Sequence, residues 1–244
     1  MLRQTIYALS SAPGKAGVAV VRVSGPRAKQ ALTSCTGSNA RSSWQPRQAY
    51  FRSIQHPHTR APLDRGLVLW FPGPHSFTGE DIVELHVHGG NAVVRSVLDA
   101  LGDLADFRPA EQGEFAKRAF DNDKLDLTEL EGLADLLNAE TEAQRQLALR
   151  QAEGGLRVPY EGWREQIIHC MAIMEAVIDF GEDEQIDPGA TDTAVRQVMD
   201  MRNAILKHLD DKRVGEIVRN GVKVTIVGPP NAGKSTLLNM LGKS

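Results

Sequence analysis

The sequence feature that most constrains the fold is a glycine-rich run, GPPNAGKST, at residues 228–236. Gly228, Gly233, Lys234 and Ser235 fit the spacing G-x-x-x-x-G-K-S. The preceding VKVTIV is typical of a strand, and the following STLLNML is typical of a helix. Glycines here let backbone N–H groups turn toward an anion, and the helix presents its positive N-terminal end. The pattern therefore predicts a phosphate-binding loop, in which Lys234 reaches β- and γ-phosphates and Ser235 is a Mg²⁺ ligand.

One strand and one helix do not bury a hydrophobic core of their own. Because the chain ends at Ser244, we expect the unit that holds the loop to be cut short. We accordingly expect the chain to bind nucleotide weakly or not at all, and the intact protein to bind it well.

The bulk composition is ordinary for a globular protein and excludes some classes of function. The 244 residues are 41% hydrophobic and 24% charged, with a net charge of −3. This balance disfavours broad binding to a phosphate backbone, so any nucleic-acid contact is expected to be local or supplied by a partner. No apolar run approaches the roughly 20 residues that span a bilayer. Cys35 and Cys170 form no CxxC pair, which favours a reducing compartment.

Three segments follow one another along the chain, with predicted domains at 1–122, 123–218 and 219–244. The first shows short strand patterns separated by glycine and proline, typical of a mixed α/β domain. The second is predicted to be helical, and the third begins the strand, loop and helix described above. In the second segment, Thr128 and Glu131 have the spacing of a capping box, and Gly154-Gly155 is expected to end that helix.

Two further helices are predicted from apolar residues at three- and four-residue steps. Each set is expected to form a buried stripe, with an acidic connector, residues 181–190, between the helices. The first stripe is Trp163, Ile167, Met171, Met174 and Ile178; the second is Val195, Val198, Ile205 and Leu209, together with Arg202.

Arg22 is an unusual residue for its position in the strand pattern GVAVVRVSG. Alternation places it on the same face as Val18 and Val20. An arginine on an apolar strand face needs a partner. Two interpretations remain open: an ion pair at an edge strand, or a carboxylate-bearing ligand that the guanidinium holds with two hydrogen bonds.

Glu84, His86 and His88 alternate along DIVELHVHGG and therefore share one face of a strand. Histidines two residues apart beside a glutamate are compatible with a metal site. Histidines are more often structural, and no further ligand is identifiable. Alternatively, Glu84 accepts two parallel N–H donors from a flat heterocycle. Lys124 lies in a charged run, residues 108–137, that is either a solvated surface or part of a pocket at the domain junction.

In their order and spacing these segments resemble the MnmE/TrmE-type tRNA modification GTPases. The resemblance covers essentially the whole chain, and its most specific pieces are GVAVVRVSG, LWFPGPHSFTGEDIVELHVHGG, GEFAKRAFDNDKLDLTELEGLADLL, AVIDFGEDE and GPPNAGKST. It implies an α+β folate-binding domain with a mixed sheet, a helical domain, and the start of a Ras-like α/β domain. The rest of that Ras-like domain, the returning half of the helical domain and a C-terminal C-x-G-K motif are not in the sequence.

The resemblance also implies roles for individual residues. Arg22, Glu84 and Lys124 would contact a 5-formyl-tetrahydrofolate-type ligand. The loop residues Asn231, Ala232, Gly233, Lys234, Ser235 and Thr236 would contact GTP; Ser235 would also bind Mg²⁺, and Asn231 a K⁺ ion.

The implied function of the intact protein is GTP hydrolysis coupled to modification of C5 of the wobble uridine in certain tRNAs. An MnmG-type, FAD-dependent partner would take part, and the N-terminal domain would form a homodimer. This chain alone is expected to lack GTP hydrolysis. Two alternatives remain: a folate-binding dimerisation module without catalysis, and an unrelated P-loop ATPase or kinase. The segment GLADLLNAETEAQRQLALRQ resembles the mitochondrial branch of the family, which favours a mitochondrial protein over one of the bacterial cytoplasm.

Overall fold

We analysed a computed structural model of the chain, which describes residues 4–37, 44–179, 189–210, 214–221 and 225–241. The chain divides into two compact units, Met1–Leu130 and Glu131–Ser244. Each unit is described by itself. The first holds a sheet with helices packed on it, and the second consists of helices followed by the glycine-rich loop.

A six-stranded mixed sheet forms the first unit. Its strands are β1 (Thr5–Leu9), β2 (Ala16–Ser24), β3 (Tyr50–Gln55), β4 (Pro62–Phe71), β5 (Ile82–Gly89) and β6 (Phe107–Pro109). They lie in the order β3-β4-β5-β2-β1-β6. All neighbours are antiparallel except β1 and β6, which are parallel. The mixed sheet confirms the α+β prediction for this part of the chain.

One face of the sheet carries the core. Its helices are α1 (Ala28–Thr36) and α2 (Asn91–Gly102), and α3 (Glu114–Asp121) follows β6. Val21, Val23, Val83 and Leu85 are fully buried and join Leu32 of α1 in one hydrophobic cluster. The alternate residues of β2 and β5 face the other way, as their period of two predicts. We call this second side the open face.

The second unit contains more helices than the sequence predicts. They are α4 (Leu127–Asn138), which begins just before the boundary, α5 (Glu142–Ala152), α6 (Arg157–Asp179), α7 (Ala190–Leu209), α8 (Val214–Asn220) and α9 (Lys234–Leu241). The prediction of a single helix that ends at Gly154-Gly155 was therefore wrong. Thr141 and Gln144 form a complete capping box that starts a new helix, because their side chains satisfy the free N–H groups of its first turn.

The predicted cap at Thr128 and Glu131 was also wrong, by two residues. The Asp126 carboxylate accepts from the Glu129 backbone N–H at 2.8 Å, and the Glu129 carboxylate accepts from the Asp126 N–H at 2.8 Å. Aspartate caps a helix as well as threonine does. The Thr128 hydroxyl donates to the same Asp126 carboxylate.

The helical stripes occur at the predicted positions but are not buried. Met171 is 64% exposed and Ile178 75%, while Val195 and Leu209 on α7 are 49% and 69% exposed. The residues of α6 and α7 that are buried are Cys170, Ala194 and Met201. A groove of about 460 Å³, lined by apolar side chains, runs between α6 and α7. The spacing of apolar residues predicts which side of each helix is hydrophobic. Whether that side is buried depends on what packs against it.

The strand predicted before the glycine-rich loop is not formed in the part that the structure describes. Thr225–Val227 is irregular, and residues 222–224 lie outside the described residues. A strand needs a neighbour for its backbone hydrogen bonds. Most of the acidic connector, residues 181–188, also lies outside the described part. Among the described helices, none is both long and apolar enough to cross a membrane.

Gly66 on β4 is placed where a side chain does not fit. A Cβ built there would lie 1.9 Å from the backbone oxygen of His86. Gly17 on β2 is a matched control, because a Cβ there meets nothing within 4 Å. We predict that Gly66→Ala lowers the free energy of unfolding by at least about 1–3 kcal/mol, whereas Gly17→Ala changes it by less than about 1 kcal/mol. Urea denaturation measures both; equal effects would contradict the close approach of β4 to β5.

Candidate functional site

The centre of the open face is a cross-strand ion pair between Arg22 and Glu84. The two residues are direct partners in the β2–β5 register. Arg22 donates to Glu84 Oε1 from Nε at 3.0 Å and from Nη2 at 2.9 Å. Their side chains are 27% and 16% exposed. The sequence left open an edge-strand ion pair and a ligand-binding arginine; the structure shows an ion pair, but on central strands.

The second oxygen of Glu84 is also engaged. The Nε2 of His86 lies 3.1 Å from Glu84 Oε2, so both carboxylate oxygens have a partner within the sheet. His88, the next residue on this face, instead contacts Asp64: its backbone N–H and ring Nδ1 lie 2.7 and 2.8 Å from the Asp64 carboxylate. These contacts, led by the His88 backbone hydrogen bond, outweigh burial and lower the pKa of Asp64.

The metal interpretation of Glu84, His86 and His88 gains no support from this geometry. Over the residues that the structure describes, no group of three or more His, Cys, Asp or Glu side chains has an arrangement that could hold a metal ion. The two histidines contact different carboxylates, and each contact is an ordinary hydrogen bond.

Two aromatic rings flank the guanidinium of Arg22. Its Cζ lies 5.5 Å from the ring centre of Phe77, in the loop between β4 and β5, and 5.8 Å from that of Phe115 on α3. Cation–π attraction favours such positions. The carboxylate of Glu84 therefore lies beside a cation that is bracketed by flat apolar surfaces. A planar heterocycle with N–H donors matches this combination of groups.

Lys124 lies against the same loop, at Gly79. A Cβ on Gly79 would lie 2.9 Å from Asn122 Cβ and 3.3 Å from Lys124 Cγ. The φ of Gly79 is 77°, a conformation that glycine adopts readily. The lysine side chain is exposed and, among the described residues, has no carboxylate partner. Arg22 and Lys124 thus each lie beside the 72–81 loop, at Phe77 and at Gly79, and Glu84 is connected to the loop through its ion pair with Arg22.

A buried polar network fixes the 72–81 loop in place. Arg118 on α3 is 5% exposed and donates to Glu80 Oε2 at 2.9 Å and to the backbone oxygen of Gln4 at 2.9 Å. The fully buried hydroxyl groups of Ser24 and Thr78 lie 2.7 Å apart, and Ser24 also donates to Glu80 at 2.9 Å. The loop is therefore attached to β2, α3 and the start of β1.

Sequence reasoning missed several residues of this site. Phe77, Phe115 and Arg118 gave no periodic signal because they lie in a loop and a short helix. The one available indication was the density of alternating charge in EQGEFAKRAFD, where Glu114 and Arg118 are four residues apart and form an i,i+4 pair at 3.0 Å.

The glycine-rich loop has the backbone conformation that its sequence predicts. Gly233 has a φ of 80° and Asn231 a φ of 62°, both in the left-handed region that turns the chain sharply. Helix α9 begins at Lys234, one residue before the predicted STLLNML. The Nζ of Lys234 donates to the backbone oxygens of Gly228 and Pro229, at 3.0 and 2.6 Å. The lysine therefore bends over its own loop, where it would meet a bound phosphate. The residues of the glycine-rich loop are thus suited to hold a phosphate group.

Both cysteines are buried free thiols. Burial raises the pKa of the Cys35 thiol to about 12, an effect that the nearby Arg60 only partly opposes. A thiol with such a pKa is a poor nucleophile. Cys35 is therefore a core residue and takes no part in the candidate site.

Both units match known protein families. Residues 5–124 match the family described as "GTP-binding protein TrmE N-terminus", and residues 127–238 match "MnmE helical domain". The chain belongs to the MnmE/TrmE family. This confirms the resemblance that the sequence motifs indicated. The N-terminal family match ends at Lys124, so it includes the sheet, the 72–81 loop and all three predicted folate contacts.

The MnmE/TrmE relatives come from mitochondria and from bacteria. The mitochondrial 5-taurinomethyluridine-tRNA synthase subunit GTPB3 of Danio rerio is 56% identical over 97% of the chain, and its Homo sapiens counterpart is 53% identical over 98%. The tRNA modification GTPase MnmE of Parvibaculum lavamentivorans is 54% identical over 98%. The matches cover 47%, 48% and 53% of those three proteins. The chain thus spans about half the length of these relatives.

Glu114 gives the polar network a defined dependence on pH. Hydrogen bonds from Arg108, at 2.6 and 2.7 Å, are the main reason that the pKa of Glu114 falls to about 2. Because the pKa of Glu114 in the folded state lies below its unfolded-state value of about 4.5, the ionised carboxylate stabilises the fold at pH values above 4.5. That contribution disappears as the pH falls toward 2. We predict that Glu114→Gln flattens the fall in unfolding free energy between pH 4.5 and 2. Urea denaturation across this range tests it, and parallel curves for both proteins would contradict the assignment.

Proposed function

We propose that the protein is part of a GTP-dependent enzyme that modifies C5 of the wobble uridine of certain tRNAs, with a reduced folate as the one-carbon donor. The observation that carries this proposal is the Arg22–Glu84 ion pair of a TrmE-type N-terminal unit, which lies beside Phe77 of the 72–81 loop. The relatives named as tRNA modification GTPases and as subunits of a tRNA synthase support the substrate class. A mitochondrial location is favoured, with the bacterial cytoplasm as the alternative.

In this proposal Glu84 orients the folate. A carboxylate that is 16% exposed and held on a rigid strand is suited to accept paired N–H donors from a pterin ring. Phe77 and Phe115 offer apolar surfaces to the ring faces. Arg22 and Lys124 are the cations available for the anionic or polar groups of the ligand. When bound, a 5-formyl-tetrahydrofolate-type molecule supplies the one-carbon unit.

The phosphate loop binds GTP in the intact protein. Lys234, which now donates to two loop carbonyls, would exchange these for phosphate oxygens. Backbone N–H groups of residues 232–236 at the start of α9 would face the β-phosphate, and the hydroxyl of Ser235 would bind Mg²⁺. Asn231 would hold a K⁺ ion close to the phosphates, where positive charge favours hydrolysis. An MnmG-type, FAD-dependent partner and a homodimer through the N-terminal domain complete the proposed assembly.

The folate assignment is testable with the chain as it stands. We predict that the chain binds 5-formyl-tetrahydrofolate and that Glu84→Gln weakens binding roughly tenfold or more, since a charged acceptor is replaced by a neutral amide. Isothermal titration calorimetry measures the affinity. Glu111→Gln, which makes the same change on an exposed side chain outside the site, should bind like the wild type.

The opposite results would refute this part of the proposal. Absence of folate binding by the wild-type chain would remove the donor assignment. Equal affinities for both glutamine variants would remove Glu84 from the site. Circular dichroism melting curves establish that each variant is folded, so that a loss of binding is not a loss of structure.

The nucleotide assignment needs a protein that carries the complete GTP-binding domain. In that protein we predict that Lys234→Ala lowers the rate of GTP hydrolysis roughly a hundredfold or more, as expected when one donor to the developing charge is removed. Phosphate release measures the rate. Lys207→Ala, on an exposed part of α7, is the control. Hydrolysis of ATP in preference to GTP would favour the P-loop ATPase alternative, and folate binding with no hydrolysis of either would favour the dimerisation module.

A further inference from the structure

The hairpin of β3 and β4 differs in charge from the rest of the chain. Residues 44–71 contain four arginines and one acidic residue, Asp64, although the whole chain carries a net charge of −3. The Asp64 carboxylate is engaged by His88. Within the described part of the chain, none of the four arginines pairs with a carboxylate; they are Arg47, Arg52, Arg60 and Arg65.

Aromatic rings, of which Tyr50 is half-buried and Phe51 exposed, lie beside two of these arginines at the edge strand of the sheet. The Arg52 guanidinium lies 5.3 Å from the ring centre of Tyr50, and that of Arg65 lies 5.7 Å from the ring centre of Phe51. Phe51 is 60% exposed, and both arginines are exposed. Tyr50 pairs with Val68 and Arg52 with Gly66, so these two lie on the core side of the sheet. We call Phe51 and Arg65 the edge patch.

The edge patch shares the open face with the candidate folate site. Phe51 is the register partner of Leu67, and Leu67 is the register partner of His86. Directly paired residues lie on the same face of a sheet. Phe51 and Arg65 are therefore on the face that carries Glu84. Two strand spacings separate β3 from β5, a distance of about 10 Å.

We propose that the edge patch binds a single-stranded segment of RNA, with a phosphate at Arg65 and a base stacked on Phe51. Unpaired arginines attract phosphate and form two hydrogen bonds with it. An exposed aromatic ring beside them stacks on unpaired bases, which is how single-stranded nucleic acids are held. Rigid duplex does not offer free base faces. The inference rests on the proposed tRNA substrate and identifies which surface of this unit meets it.

The test measures binding of a fluorescently labelled RNA hairpin, with a uridine-containing single-stranded loop, by fluorescence anisotropy over a range of salt concentrations. Arg65→Ala should lower the slope of log affinity against log salt by about 0.7–1, the effect of one phosphate contact. Arg95→Ala is the matched control, because Arg95 is an exposed arginine on α2 that loses the same charge. It should bind like the wild type.

Phe51 tests the stacking part of the inference. Phe51→Ala should weaken binding roughly tenfold, whereas Phe51→Tyr retains an aromatic ring and should retain most of the affinity. Circular dichroism melting curves exclude unfolding of either variant. A fully paired RNA duplex should bind the wild-type chain more weakly than the hairpin.

Several results would overturn the inference. They are equal losses in the Arg65 and Arg95 variants, no difference between alanine and tyrosine at Phe51, and duplex RNA or phosphatidylserine vesicles competing as well as the hairpin. A dimer, seen by sedimentation, that Phe51→Ala dissociates without affecting RNA binding would assign the surface to a second copy. Folate calorimetry separates the two proposals: folate binding without RNA binding removes this inference alone, and RNA binding without folate binding removes the donor assignment alone.

Discussion

The arrangement of the first unit depends on one buried guanidinium. Arg118 connects α3 to Glu80 in the 72–81 loop and to the backbone at Gln4, and it does so at 5% exposure. A buried charge is tolerated only when it is paired and hydrogen-bonded, so its partners must stay in place. Because those partners belong to segments far apart in sequence, the arginine fixes the loop that carries Phe77 and Gly79. The candidate site follows from that constraint.

Local sequence patterns predicted the sheet well because they depend on neighbouring residues. The alternation grouped Arg22 with Val18 and Val20 and Glu84 with His86 and His88, each on one face of its strand, but it did not show that the face of Arg22 is the one opposite the core. That Arg22 and Glu84 face each other is a matter of register between strands 62 residues apart. Likewise, the phosphate loop was predictable from the spacing of its glycines. In the described residues 225–227 its preceding strand is not formed, because a strand requires a neighbour.

The helical part shows where such patterns stop being informative. Capping residues were misassigned by two positions because Asp126, Thr128 and Thr141 are all good N-cap residues, and only the hydrogen bonds distinguish them. Apolar spacing identified the hydrophobic sides of α6 and α7, but exposure of Met171 and Ile178 is a property of packing and not of periodicity. For the site, sequence supplied Arg22, Glu84 and Lys124, while Phe77, Phe115 and Arg118 required coordinates.

Both oxygens of the Glu84 carboxylate are already engaged, one by Arg22 and the other by His86. The carboxylate and its two partners thus satisfy one another, so a simple anion or cation gains little by binding there. A molecule that binds only one member of the Arg22–Glu84 pair gains little, because the displaced member is left without a hydrogen-bond partner. Only a ligand that offers donors to the Glu84 carboxylate and an acceptor to the Arg22 guanidinium replaces the hydrogen bonds that both side chains lose. For the proposed folate, this exchange would favour ligands that carry both kinds of group over ligands that carry only one.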